Sequence, residues 1–298
     1  MFRLMTMFLL AMASLPATAA LQVFATVPEW GALAREIGGD KVSVFTATTA
    51  LQDPHRIQAR PSLLAQARRA NLVVATGADL EIGWLPLVLR DSGNANIQPG
   101  RPGYFEAARF VTMLDVPLVL DRSQGDIHAA GNPHIQLDPR NLFRIGEALA
   151  ARLGELDPPN APAYQAGYKV FAEKWRTAIA RWEREAAPLR GVPALAHHDS
   201  FVYLAHWLGF KVTGTLEPKP GLEPTSGQLS SLVAGQQGAP ARMVLRTAYQ
   251  SDGPSLWIAG KAGIPAILLP FTVGGTPEAG DLYGLFDETV QRMLKGLH

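Results

Sequence analysis

Between residues 160 and 188, apolar side chains recur at steps of three and four: Tyr164, Tyr168, Phe171, Trp175, Ile179, Trp182 and Ala186, with Leu189 just beyond. Lys169, Glu173, Lys174, Arg176, Arg181, Glu183 and Arg184 fill the remaining positions. That spacing predicts one long amphipathic helix. Asn160 is the expected N-cap, Pro162 suits the first turn, and Pro188 with Gly191 supplies the stop. About 27 helical residues at 1.5 Å each span roughly 40 Å, enough to join two lobes and to hold their relative movement to a limited rocking.

On the N-terminal side the pattern alternates. Strands are expected at 21–26, 42–46 and 71–76, and helices at 29–37, from Pro61-Ser62, and through Trp84 and Leu89. The third strand is a short, wholly apolar run of the kind buried on both faces. Residues 92–103 and 121–132 read as polar loops, and Asp138-Pro139 opens a helix through Leu153. Beyond the long helix, strands are expected ending at Ala196 and at 243–245 and 266–270, with helices at 200–208, 228–234, 254–262 and 282–297. No residue-level repeat links the halves. The βα rhythm predicts an α/β fold: two lobes, each with a mostly parallel sheet flanked by helices, joined by one long backbone helix. The expected divisions are 1–20, an N-terminal lobe 21–157, the linking helix 158–189 and a C-terminal lobe 190–298.

The first 20 residues break this rhythm. Arg3 is their only charge, an apolar run covers 7–15, and Ala17-Thr18-Ala19-Ala20 offers small-residue cleavage sites, the composition of a secretory signal peptide. No later stretch approaches the roughly 20 apolar residues of a membrane span. The mature protein is therefore expected to be exported to the periplasm. Removing Arg3 from 27 basic residues leaves 26 against 26 acidic ones, with no basic run to serve as a nucleic-acid footprint. The chain has no cysteine, which excludes disulfides, thiolate metal sites and a lipid anchor on a cysteine after the signal. Any metal must be held by nitrogen and oxygen.

In open α/β sheets, ligands gather where strands lead into helices. Four side chains suited to a metal occupy such places: His55 in Asp53-Pro54-His55, His134 in Asn132-Pro133-His134, His198 and Asp281. Imidazole nitrogen and carboxylate oxygen suit Zn²⁺. Each also has an ordinary structural reading. Asp-Pro-His makes a turn, Asn-Pro-His caps one, His197 and His206 compete with His198, and Asp281 is a good N-cap for the last helix.

Those motifs, with Gly77-Ala78-Asp79-Leu80-Glu81, Trp84-Leu85, Leu137-Asp138-Pro139, His198-Asp199-Ser200-Phe201, Tyr203, Gly209 and Glu223-Pro224, run in one order through nearly the whole mature chain. The chain resembles the periplasmic zinc- and manganese-binding receptors of metal ABC transporters, the ZnuA or TroA-like solute-binding proteins of cluster A-I. The resemblance implies two α/β lobes, one long connecting helix and a single metal in the cleft. It assigns His55 and His134 to the first lobe's ligands, and His198 and Asp281 to the second's. His198 stands where manganese receptors carry Glu, which favours Zn(II) over Mn(II) as the transported ion. The implied partners are the membrane subunits of an ABC permease, with a periplasmic metallochaperone as a further candidate, and a monomeric receptor. The segment before His134 lacks the long His- and Asp-rich loop of many zinc receptors and holds only His128.

A zinc-dependent hydrolase is the competing expectation, and a receptor for haem or a siderophore a third. Catalytic zinc keeps a position for water, whereas three His and one Asp fill a tetrahedron. His-Glu-x-x-His, Gly-x-Ser-x-Gly and P-loop signatures are all missing from the sequence.

Overall fold

The computed structural model describes residues 19–118, 125, 128–236 and 240–298. The expected signal peptide lies, but for its last two residues, outside them, as does much of the loop before His134.

The first sheet is built from β1 (Leu21–Ala25), β2 (Val42–Thr46), β3 (Leu72–Ala75) and β4 (Tyr104–Glu106), ordered β2-β1-β3-β4 and parallel throughout. The second uses β5 (Pro193–Ala196), β6 (Lys211–Thr215), β7 (Met243–Arg246) and β8 (Ala266–Leu268), ordered β6-β5-β7-β8, again all parallel. The halves thus repeat one topology that their residues do not reveal. β3 is buried at every position between β1 and β4, as its unbroken apolar run requires.

Helices cover the sheets: α1 (Pro28–Gly38), α2 (Pro61–Arg69), α3 (Leu85–Ser92) and α4 (Pro139–Leu156) on the N-terminal side. The long helix is α5 (Ala161–Glu185), followed by α6 (Val202–Leu208), α7 (Ser226–Gly235), α8 (Gly253–Ala262) and α9 (Leu282–Lys295). α4 starts where Asp138 accepts the N–H of Arg140, with Pro139 in the first turn. The N-cap expected of Asn160 takes another form. A short 3-10 turn, Pro158–Asn160, precedes α5, and the Asn160 amide donates to Asp157 Oδ2 at 2.8 Å instead of capping the helix.

α5 is 25 residues long, about 37 Å, and its buried face is Tyr164, Tyr168, Phe171, Ala172, Trp175, Ala178 and Trp182. Gly167 lets it approach α1: a Cβ there would lie 2.1 Å from the Ile37 carbonyl oxygen. Further along, Trp175 donates to the Pro139 carbonyl at 2.7 Å and packs on Tyr283 and Phe286 of α9, while Trp182 donates to Asp287 Oδ1 at 2.5 Å. One helix is therefore fastened to both lobes by indole rings.

Away from α5 the lobes also meet at Glu29 of α1. Its buried carboxylate accepts a hydrogen bond from the Thr272 hydroxyl just after β8. Burial, opposed by that hydrogen bond, pushes Glu29 up to about 7 from an ordinary 4.5. A raised carboxyl pKa means the folded state holds the proton more tightly. Its contribution is complete below pH 4.5 and is lost as pH rises through about 7, a difference on the order of 3 kcal/mol. Glu29→Gln keeps an acceptor for Thr272 without the charge. Its melting temperature should exceed the parent's at pH 8, with the gap closing below pH 5; a gap independent of pH would contradict this origin.

Candidate metal centre

The first two histidines are set by the same local device. Asp53 Oδ1 accepts the backbone N–H of His55 at 3.0 Å and lies 2.8 Å from its Nδ1. Asn132 Oδ1 does the same for His134, at 3.0 and 2.9 Å. In each turn proline sits between holder and histidine, fixing φ and offering no competing N–H. The Pro54 carbonyl is pinned by the Trp84 indole at 2.9 Å, tying the His55 turn to the start of α3. His198 follows β5 and is held over a longer range: its Nδ1 lies 2.7 Å from Glu217 Oε2, which also accepts the Gly221 N–H at 2.7 Å.

With Nδ1 donating to a carboxylate or amide oxygen, a neutral imidazole carries its lone pair on Nε2, the arrangement that prepares histidine for a metal. The three rings converge: His55 to His134 and His134 to His198 are each 5.5 Å between centroids, and His55 to His198 is 6.0 Å. One ring nitrogen from each lies within 4.8 Å of the others. A tetrahedral zinc site with Zn–N near 2.0–2.1 Å needs nitrogens about 3.4 Å apart, so a small contraction would complete the geometry. Nε2 of His55 and Nε2 of His134 are buried with no hydrogen-bond partner. Two such buried acceptors within one cluster of rings would be satisfied by an ion or a water between them.

The rings differ in charge. Burial, then the neighbouring His198 and His55, hold His134 well below the usual imidazole range, so it stays neutral and ready to coordinate. Burial also opposes charge on His198, but its hydrogen bonds to Asp199 and Glu217 override this and push it up to about 10. A cleft of about 140 Å³ opens onto His55 and His198, and its lining includes the carboxylates of Asp53, Glu217 and Glu223 against the one guanidinium of Arg56. Phe271 forms a wall at 5.5 Å from the His134 ring, held at a φ of 68° that a bulky side chain rarely adopts.

The structure brings His55, His134 and His198 together and sets Asp281 apart. Asp281 is exposed, and its Oδ1 accepts the Gly284 N–H at 2.7 Å, capping α9. The residue type that caps a helix is also one that binds metal, and here its carboxylate is engaged at the helix end. Of the competitors for His198, His197 is buried with its Nδ1 3.5 Å from Ser255 Oγ, and His206 is largely exposed beside Asp138. His128 lies closer in, its ring 5.3 Å from His55 and its Nδ1 buried without a partner. The holders Asn132 and Glu217 were not singled out by the sequence as site residues. Asn132 was visible in its motif, whereas Glu217 reaches His198 only through the pairing of β5 with β6.

Residues 23–296 match the family model described as zinc-uptake complex component A periplasmic, ZnuA. The metal ABC transporter substrate-binding lipoprotein ScbA of Streptococcus cristatus is 22% identical over 286 residues, covering 93% of this chain and 89% of ScbA. A ZnuA crystal structure superposes with a TM-score of 0.78 at 23% identity, over 94% of this chain and 100% of that one. The SBP FpvC from Pseudomonas aeruginosa, in complex with Mn²⁺, superposes with a TM-score of 0.77 at 21% identity, over 94% and 99%.

Proposed function

From the premise that this chain belongs to the ZnuA family of periplasmic metal-uptake components, and is thus a substrate-binding receptor of a metal ABC transporter and not an enzyme, we propose that its cargo is Zn²⁺. In this reading His55, His134 and His198 take the ion in the cleft, and the receptor carries it through the periplasm to the membrane permease. The observation that carries the reading is the pair of buried, partnerless Nε2 atoms of His55 and His134, each opposite an Nδ1 already held. Three imidazoles favour zinc over manganese, which prefers carboxylate, carbonyl and water oxygen. Residues 1–20 serve as the export signal in the same reading.

Manganese is the second candidate, because the fold is shared with a Mn²⁺ complex as well as with ZnuA. Metal-stripped protein offered equal Zn²⁺ and Mn²⁺, then desalted and analysed for its elements, separates the two. One equivalent of zinc with manganese below about a tenth of it is expected. Predominant manganese would overturn the assignment of cargo while leaving the receptor role intact.

A further inference from the structure

His198 differs from its two companions. Its Nδ1 is taken by Glu217, as theirs are by Asp53 and Asn132, but its Nε2 is also engaged, 2.8 Å from Asp199 Oδ1. A metal bound by all three histidines must therefore separate His198 Nε2 from Asp199. The Asp199 carboxylate does not yet lie within the 4.8 Å grouping of the three ring nitrogens, but a short side-chain rotation away from His198 Nε2 would bring it toward an ion bound there, where Zn–O distances are about 2.0–2.2 Å.

Three imidazoles leave one corner of a tetrahedron to fill. Among the described residues, three carboxylates touch a histidine of the cluster; of these, Asp53 is engaged by the backbone and ring of His55, and Glu217 by His198 Nδ1 and the Gly221 N–H. Asp281 caps α9. Asp199 is half-buried, and its Oδ1 meets the cluster at His198 Nε2, 2.8 Å away. Its backbone is anchored from the other lobe, where the Asn132 amide donates to the Asp199 carbonyl at 2.9 Å. The main chain is thus fixed while the side chain is free to rotate by a short arc.

We propose that Asp199 is the fourth metal ligand: its carboxylate accepts the Nε2–H of His198 until the ion arrives, the ion displaces that proton to solvent, and the carboxylate then transfers to the ion. The inference rests on the reading of the three histidines as the metal site. An anionic oxygen is the better fourth donor, because it offsets part of the charge of a dication brought into a mostly buried site. His128 is the competing donor, being neutral and attached at the side of His55.

Asp199→Asn keeps size and shape while removing the anionic donor. Titration of the metal-stripped, full-length mature variant with Zn²⁺ against a chromophoric chelator should show affinity lower by roughly 100-fold, near the share of one ligand in four. The visible absorption of the Co²⁺-loaded variant should shift from the parent's as its donor set changes, with melting of the metal-free variant confirming a folded chain. Parent-like affinity and Co²⁺ spectrum in Asp199→Asn, with binding lost in His134→Ala, would overturn the role of Asp199 and leave the histidine site standing. Loss in Asp281→Asn or His128→Ala but not in Asp199→Asn would overturn it equally. Parent-like binding by His134→Ala would remove the histidine site and this inference with it.

Discussion

His134→Ala should abolish tight zinc binding and leave the fold intact. Among the described residues, His134 contributes one of two buried Nε2 atoms without a protein partner, and burial holds its imidazole well below the usual range. Zinc bound by four protein ligands releases about 10–16 kcal/mol, so an equal share for one ligand is about 2.5–4 kcal/mol, or a loss of roughly 60- to 1000-fold. Truncation also frees Asn132, whose amide would still hold the Asp199 carbonyl across the cleft. The variant's metal-free melting temperature should consequently fall little. Its stabilisation by added zinc, which in the parent grows with the logarithm of zinc concentration, should nearly vanish. A variant that zinc stabilises as strongly as it does the parent would exclude His134 from the site.

Trp175→Ala should be the most damaging change to the fold outside the site, costing about 3–5 kcal/mol. The ring is fully buried and stacks on Phe171 at 5.1 Å, with edge contacts to Trp182, Tyr283 and Phe286. Its N–H satisfies the Pro139 carbonyl in the first turn of α4, just after the segment that carries His134. The deletion opens a cavity where α4, α5 and α9 meet, and it removes the indole hydrogen bond to the first turn of α4. Denaturant unfolding of the metal-free protein should register the full loss, and zinc affinity should fall by a smaller factor because the His134 turn loses support. Trp175→Phe, which retains most of the ring volume, should restore much of the stability. A loss under 1 kcal/mol for the alanine variant would show that α5 is held mainly by other contacts.

Much of this architecture could be read before the structure, and the exceptions have physical causes. β2 was placed at its observed limits, and β1, β3, α1 and α4 within two or three residues, because apolar runs and Pro or Gly punctuation agree there. β4 was missed because three residues after a Gly- and Pro-rich stretch carry too little periodicity to register. β6 was missed because an edge strand reading Lys-Val-Thr-Gly-Thr, exposed over its first three residues, has no hydrophobic face to announce it. In the site, Asp53-Pro54-His55 and Asn132-Pro133-His134 were legible because holder and ligand are two residues apart. Glu217 lies 19 residues from the ring it orients, and only the fold closes that distance. Asp281 was ambiguous for a chemical reason, since one carboxylate beside one helix start satisfies both the capping rule and the ligand pattern.

Asn132 holds His134 with its oxygen and the opposite lobe with its nitrogen. Aiming a ligand and closing the cleft are thereby two ends of one amide group, and neither can be lost without disturbing the other. On the reading of this cleft as the metal site, parting the lobes would draw His198 from one side of the ion and unsettle His134 on the other, so that lobe movement alone would weaken coordination.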